Sequence, residues 1–214
     1  DAKIGVTNTL NLDVSINPDF SNTEVDEQII NLDRFSLFFP ERRLFFTENS
    51  DLFASFGFSK IRPFFSRRIG LNAPVQAGLR LSGKIGNDTR IGMMNIQTGK
   101  EENISAANYT VAAIQQKVFD RSNVGVFLVN KNLTGANSNG DDRYNRVLGF
   151  DYNLASADSK WTGKAFYHQV FSPNNSKRDF ASAASISYAS QRFAASLSQE
   201  YVGEDYNAEV GFIR

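Results

Sequence analysis

Arg34-Phe-Ser-Leu-Phe-Phe-Pro-Glu-Arg-Arg-Leu-Phe-Phe-Thr-Glu-Asn49 is unlike anything else in this chain. It belongs to a longer irregular stretch, 18–74, which starts within Asn17-Pro-Asp-Phe-Ser-Asn-Thr-Glu-Val-Asp-Glu-Gln-Ile-Ile30 and includes Arg62-Pro-Phe-Phe-Ser-Arg-Arg-Ile-Gly70. The stretch holds 11 of the 19 Phe, interleaved with Arg and Glu. Left in water, such a segment would expose a large apolar surface. It needs a place to bury itself, and the flanking sequence has to provide it.

On both sides the chain alternates. Leu10, Leu12, Val14 and Ile16 share one face, and Asn11, Asp13, Ser15 and Asn17 the other. That period of two marks a strand with one apolar side. A tight turn at 7–9 joins it to 2–6 as a hairpin. Beyond the insert, Val75, Ala77, Leu79, Leu81 and Ile85 oppose Gln76, Gly78, Arg80, Ser82 and Lys84. Gly86-Asn-Asp88 turns the chain, and 89–98 returns with Ile91 and Met93 opposite Arg90 and Gly92. The rhythm recurs near 107–119 (where it is weakest), 123–132, 143–155, 160–171, 179–189 and 192–202, and a last run reaches 214. Runs of about ten residues suit tilted strands that cross a bilayer, whereas sandwich strands average about five or six.

The connections alternate as well. Turns at 7–9, 86–88, 120–122, 156–159 and 190–191 are short; those at 99–106, 133–142 and 172–178 are longer and polar. Bacterial barrels have this asymmetry. It holds only if 18–74 is a single excursion from the long-loop end, and a structureless loop of that length calls for a function. The fold class that follows is all-β: a partial antiparallel transmembrane β-barrel of about 10–12 strands with a long Phe/Arg-rich insert acting as plug or cap. Its parts are a first hairpin (1–17), the insert (18–74) and the remaining strands (75–214). About eleven strands, the last only begun, is an odd number, and lipid tolerates no open edge. Closing strands are therefore expected beyond this sequence.

Composition excludes several functions. Lys plus Arg and Asp plus Glu number 23 each, so no basic excess points to nucleic acid. The absence of cysteine rules out disulfides, zinc–thiolate sites and a Cys nucleophile. No apolar run approaches the roughly 18 residues of a transmembrane helix. The chain opens on Asp1 without a signal peptide, as a mature, trimmed or partial chain would.

Glu24, Asp26 and Glu27, with Asp19 upstream, can be read as a calcium site or a glycosidase carboxylate pair. They lack EF-hand spacing, and Thr23 to Asp26 also reads as a capping box, so a structural role is expected. Arg42, Arg43, Arg62, Arg67 and Arg68 suit an anionic sugar or phosphate. They equally suit pairing with Glu41, Glu48, Asp33, Asp51 and Asp13. Near-balance of charge favours an internal ion-pair network of Glu41, Arg42, Arg43, Glu48, Arg62, Arg67 and Arg68. The Phe pairs 38–39, 45–46 and 64–65 are expected to pack the insert rather than stack on a sugar.

Asp13, Arg80, Lys84, Asp151, Lys164 and His168 are expected to face the lumen. His168 is the only histidine; no triad or zinc set assembles around it. Tyr109, Tyr144, Tyr152, Trp161, Phe171, Tyr188, Phe193 and Tyr201 read as interfacial girdles, or as core aromatics in a sandwich. No catalytic residue, metal ligand or cofactor is expected.

Several blocks carry a family resemblance: Asp1-Ala-Lys-Ile-Gly-Val-Thr7, Asn17-Pro-Asp-Phe-Ser21, Glu24-Val-Asp-Glu-Gln28, Phe38-Phe-Pro-Glu-Arg-Arg43, Phe45-Phe-Thr-Glu48 and Phe65-Ser-Arg-Arg-Ile-Gly70. Leu81-Ser-Gly-Lys-Ile-Gly-Asn87, Asn108-Tyr109 and Asn207-Ala-Glu-Val-Gly-Phe-Ile-Arg214 add to it. The chain resembles the C-terminal barrel of an uncharacterised outer-membrane family common in Bacteroidota, of the domain of unknown function 5916 type. Members often carry a preceding domain similar to carbohydrate-binding module family 9. The resemblance implies the outer membrane of a Gram-negative bacterium and a barrel that continues beyond Arg214. It transfers no catalytic residue and no sugar-binding residue.

The function expected is that of an outer-membrane β-barrel protein in envelope transport, surface glycan handling or scaffolding within a membrane complex. Its partners would be the lipid bilayer and other outer-membrane proteins or glycans, with no nucleic acid. The alternative is a soluble β-rich glycan-binding or glycoside-hydrolysing module using the 24–27 carboxylates.

Overall fold

The structure is a computed structural model that describes residues 1–18, 37–71, 73–101, 104–134, 143–173 and 177–214. Its strands are β1 (Ala2–Thr7), β2 (Leu10–Ile16), β3 (Ile61–Arg62), β4 (Val75–Ile85), β5 (Thr89–Thr98), β6 (Ala106–Val118), β7 (Ser122–Thr134), β8 (Tyr144–Ala155), β9 (Trp161–Phe171), β10 (Phe180–Ala189), β11 (Ala194–Val202) and β12 (Phe212–Ile213). Ten of them form one antiparallel sheet in the order β1-β2-β4-β5-β6-β7-β8-β9-β10-β11. It is a meander in which each strand pairs with its chain neighbours, and only the insert interrupts the order. The fold is thus all-β, and the expected strands fall within a residue or two of those observed. Among the described residues, β1 pairs only with β2 and β11 only with β10, and both are exposed along their whole length.

Strict alternation gives the sheet two unlike faces. On one face, registered neighbours run Leu12, Leu81, Met93, Ala112, Leu128 and Leu148 from β2 to β8. The next row runs Ile91, Ile114, Val126, Phe150 and Tyr167 from β5 to β9. These residues lie open: Met93 is 51% exposed and Ile114 54%. The other face carries Ser15, Arg80, Ser82, Asp151 and His168, all buried. The open face is thus apolar, whereas the covered face mixes these polar groups with apolar side chains such as Met94, Val111, Phe127 and Val147.

The insert lies on the covered face. Two single-turn helices, α1 (Leu44–Thr47) and α2 (Asp51–Ala54), and a 3-10 turn at Ser66–Arg68 carry its aromatic residues. Glycines on three strands make the fit. A Cβ at Gly78 of β4 would stand 2.9 Å from the Phe45 ring, and at Gly92 of β5 2.5 Å from Phe53. At Gly125 of β7 it would meet Phe56 at 2.8 Å, whereas the space at Gly149 of β8 is taken by His168 and Phe127 of the neighbouring strands, at 2.6 and 2.7 Å. Residues 45–56 therefore cross the sheet with their rings seated where strands lack side chains. Phe46, Leu52, Phe53, Phe56, Ile61, Phe64 and Ile69 are the insert's share of a core that includes Met94, Val111, Phe127, Val147 and Phe166 from the strands.

The run 207–214 does not begin another strand of the large sheet. After Val202 the chain crosses onto the covered face, and β12 pairs with β3 of the insert in a separate two-stranded sheet. Tyr206, Ala208, Val210 and Phe212 are buried there. The period-two signal of this run is real, but its apolar side packs against the insert's aromatics. Among the described residues the sheet therefore has ten strands, one fewer than expected, and 203–214 belongs with the insert.

Candidate functional site

Two buried polar centres fasten the insert to the sheet. The first forms around Arg80 of β4, which is 1% exposed. Register sets Arg80 directly opposite Asp13 of β2. Its Nη2 donates to Asp13 Oδ2 at 2.8 Å and to Glu48 Oε2 at 3.0 Å, and its Nη1 donates to the Glu48 carbonyl at 2.7 Å. The guanidinium also lies 5.5 Å from the Phe45 ring centre. Lys3 of β1 contacts Glu48 from the other side, and Asn49 donates to Ser82 at 3.1 Å. A guanidinium offers five donors in a fixed fork, which here ties two strands and the α1 end together.

The second centre lies across the sheet at Asp151 of β8, 1% exposed. Its Oδ2 accepts the Gly57 backbone N–H at 2.8 Å and faces Lys164 Nζ at 3.0 Å, while Oδ1 faces His168 Nε2 at 3.1 Å. An ionised carboxylate only accepts, so the His168 proton sits on Nε2. His168 Nδ1 and the Tyr206 hydroxyl are buried with no hydrogen-bond partner among the described residues. His168 lies between Phe127 and Phe166, stacked on Phe166 at 4.3 Å. Gly57 has φ +72, and a Cβ there would meet Ile61 O at 2.0 Å, so only glycine turns the chain at this point. Between the two centres Asp51 pairs with Arg90 of β5 at 2.6 Å, and Gln115 of β6 donates to Ser55 at 2.9 Å.

A third cluster holds the insert to itself. Glu41 accepts from Arg43 Nη2 at 2.7 Å and from the Ser66 hydroxyl at 2.6 Å, and Arg43 Nη1 reaches Ile69 O at 2.7 Å. Burial pushes the Glu41 carboxyl up, but the hydrogen bonds and charge of Arg43, with Ser66 adding, outweigh it and hold the group below its ordinary value. A depressed carboxylate stabilises the fold fully above its unfolded pKa, 4.5, and loses that contribution as pH falls through the folded value. Glu48, held low by Lys3, acts in the same window, and Asp51, held low by Arg90, starts from 3.8. Acidification below about pH 4.5 is therefore expected to lower the melting temperature. Glu41→Gln should make that slope shallower without abolishing it; an unchanged slope would mean that the cluster contributes nothing.

The sequence-derived residues divide accordingly. Asp13, Arg80, Lys84, Asp151, Lys164 and His168 all belong to the covered side of their strands; Lys84, near the strand end, is exposed. Among the described residues, the expected network of Glu41, Arg42, Arg43, Glu48, Arg62, Arg67 and Arg68 shows these contacts. Glu41 and Arg43 clasp each other, and Glu48 faces the sheet. Arg62, Arg67 and Arg68 donate to the carbonyls of Ser59, Pro40 and Gly211, and Arg62 covers Phe38 at 4.4 Å. Arg42 donates its backbone N–H to Glu41 at 3.1 Å. Backbone carbonyls of the irregular insert need donors, and arginine supplies them.

Of the aromatics, Tyr144, Tyr152, Trp161, Phe171, Tyr188 and Tyr201 lie on the open face by register, with Phe193 near Tyr188. Tyr109 does not: it packs on the core of the covered face. Asp19, Glu24, Asp26, Glu27 and Asp33 lie outside the described residues. The sequence pattern does not single out Lys3, Arg90, Gly57 and Tyr206. Arg90 is legible as the polar partner of Ile91, but nothing local marks the other three as belonging to a buried centre.

A search of the curated proteins found no match, and no solved structure matches the chain. The family comparison did find one, and its match ends with the last residue of β4. Residues 1–85, which span the first hairpin, the insert and β4, match the family described as Domain of unknown function (DUF5916).

Proposed function

We propose that this chain forms the wall of an outer-membrane β-barrel, with the open face toward lipid and the insert acting as a plug in the lumen, in a role in envelope transport. The observation that carries the reading is the apolar open face of the sheet. Exposed apolar side chains such as Leu79, Met93, Ile114, Val126, Leu148 and Ile186 lie on neighbouring strands, the kind of contiguous surface that marks a membrane or partner contact, while ion pairs are buried on the opposite side. The apolar band also crosses the strands obliquely. At the long-loop end it includes Val14 and Leu79, whose row continues into Asn95, Thr110, Asn130 and Arg146. At the short-turn end it includes Ile186 and Leu197, and Trp161 beside Tyr188. Strands tilted about 35–45° to the bilayer normal require such a drift. In this reading β1 and β11 find partners in the membrane, because an unpaired edge there would be costly.

The chain's single tryptophan, Trp161, reports on the proposal. It is 45% exposed on the open face. In vesicles carrying brominated acyl chains its emission should be strongly quenched, with little quenching by aqueous acrylamide, and the folded protein should migrate differently on gels before and after boiling. A monodisperse, detergent-free monomer whose Trp161 is quenched by acrylamide would end the proposal.

A further inference from the structure

At the long-loop end of the open face the apolar rows meet a cationic pair. Register places Asn130 opposite Arg146, and Asn132 opposite Tyr144. The Arg146 guanidinium lies over the Tyr144 ring at 4.5 Å and donates through Nε to Asn130 Oδ1 at 2.9 Å. Arg143 stands 5.9 Å from the same ring. Arg143, Tyr144 and Arg146, with Asn132, Leu133 and Thr134, line an open hollow. Arg80, Arg90 and Arg178 each pair with a carboxylate; among the described residues Arg143 and Arg146 do not. Asp141 and Asp142, just before Arg143, lie outside the described residues.

The next row down holds Leu128 opposite Leu148, and the one below that Val126 opposite Phe150. All four side chains are exposed. A cationic pair on an aromatic ring, standing directly above an exposed apolar stripe, matches one kind of molecule: an amphiphile with an anionic head. Guanidinium forks bind phosphate oxygens strongly, and the stripe gives an acyl chain somewhere to lie. A soluble phosphate or sugar would use the cations and leave the stripe idle.

We propose that Arg143, Tyr144 and Arg146 bind the phosphate of an anionic membrane lipid whose acyl chain runs along Leu128, Leu148 and Phe150. The site rests on the membrane reading above and would fix the height of this wall in the leaflet at its long-loop end.

The test is native mass spectrometry of the full chain from neutral detergent, offered dioleoyl phosphatidic acid or dioleoylglycerol. The phosphatidic acid should be retained at one copy with about tenfold preference, the scale of a charge-assisted contact. Arg146→Ala should remove that preference and Arg143→Ala reduce it. Lys160→Ala, at the short-turn end, should leave it intact. Each variant is first shown to keep its heat-modifiable migration. Equal retention of the two lipids, or an unaffected Arg146→Ala, would overturn the site. Glycerol 3-phosphate binding as well as the phosphatidic acid, or inorganic phosphate displacing the lipid at equal concentration, would make it a free-phosphate site and overturn the lipid assignment. Strong quenching of Trp161 by brominated lipid without lipid discrimination removes this inference alone. Failure of that quenching removes the membrane reading itself.

Discussion

Replacing Asp151 by alanine is expected to destabilise the protein by about 3–5 kcal/mol and to release the Ser55–Phe58 end of the insert first. The carboxylate takes the Gly57 N–H, Lys164 and His168 at once. Its removal leaves a buried backbone donor without an acceptor, itself about 1–3 kcal/mol. It also leaves the Lys164 ammonium, which has only 18% of its side chain exposed, without a counter-charge. Asp151→Asn keeps an acceptor for Gly57 and loses the charge, so its cost should be smaller. The order Ala above Asn above wild type, measured by thermal unfolding in detergent, is the result the geometry demands. Limited proteolysis separates docking from folding: cleavage within residues 55–60 should accelerate while the strands stay protected. An alanine variant that melts within about 1 kcal/mol of wild type would show that Asp151 is hydrated and that the covered face is not closed.

Much of this is legible in the sequence because two periodicities do not interfere with each other. Leu79, Leu81, Arg80 and Ser82 alternate so cleanly that the residues alone assign the faces of β4, and the same pattern sets Asp13 and Arg80 on one side of the sheet. Local pattern does not say which residues from distant segments meet. Nothing around Gly57 announces that its amide reaches residue 151, and nothing around Lys3 points to Glu48. Such contacts depend on where an irregular insert lies, and an insert has no period to read. The last run shows the complementary limit. Tyr206, Ala208, Val210 and Phe212 alternate as a strand should, but period two fixes a face, not a partner. The arginines of the insert show a related limit. Charge balance suggests ion pairs, but backbone that forms no regular structure also needs donors, and Arg62, Arg67 and Arg68 supply some of them.

At the opposite end of the insert, Arg80→Leu is expected to cost a comparable 3–5 kcal/mol or so, and the double variant Asp13→Leu/Arg80→Leu less than the single one. The single substitution strands Asp13 against an apolar neighbour and removes the donor from the Phe45 carbonyl, bound at 2.5 Å, and from the Glu48 carbonyl, bound at 2.7 Å. Substituting Asp13 as well removes the unpaired carboxylate and lets two apolar side chains pack across the register that pairs these positions. The two carbonyls still remain without their donor. Recovery should therefore be partial, on the order of 1–3 kcal/mol, and the coupling between the two sites should be measurable in a double-mutant cycle. Glu48 is the control. Its side chain is 45% exposed and also meets Lys3, so Glu48→Gln should cost no more than about 1 kcal/mol. If instead Glu48→Gln were the damaging change and Arg80→Leu the silent one, α1 would be held from the solvent side. The docking of the insert on the covered face would then rest on the Asp151 centre alone.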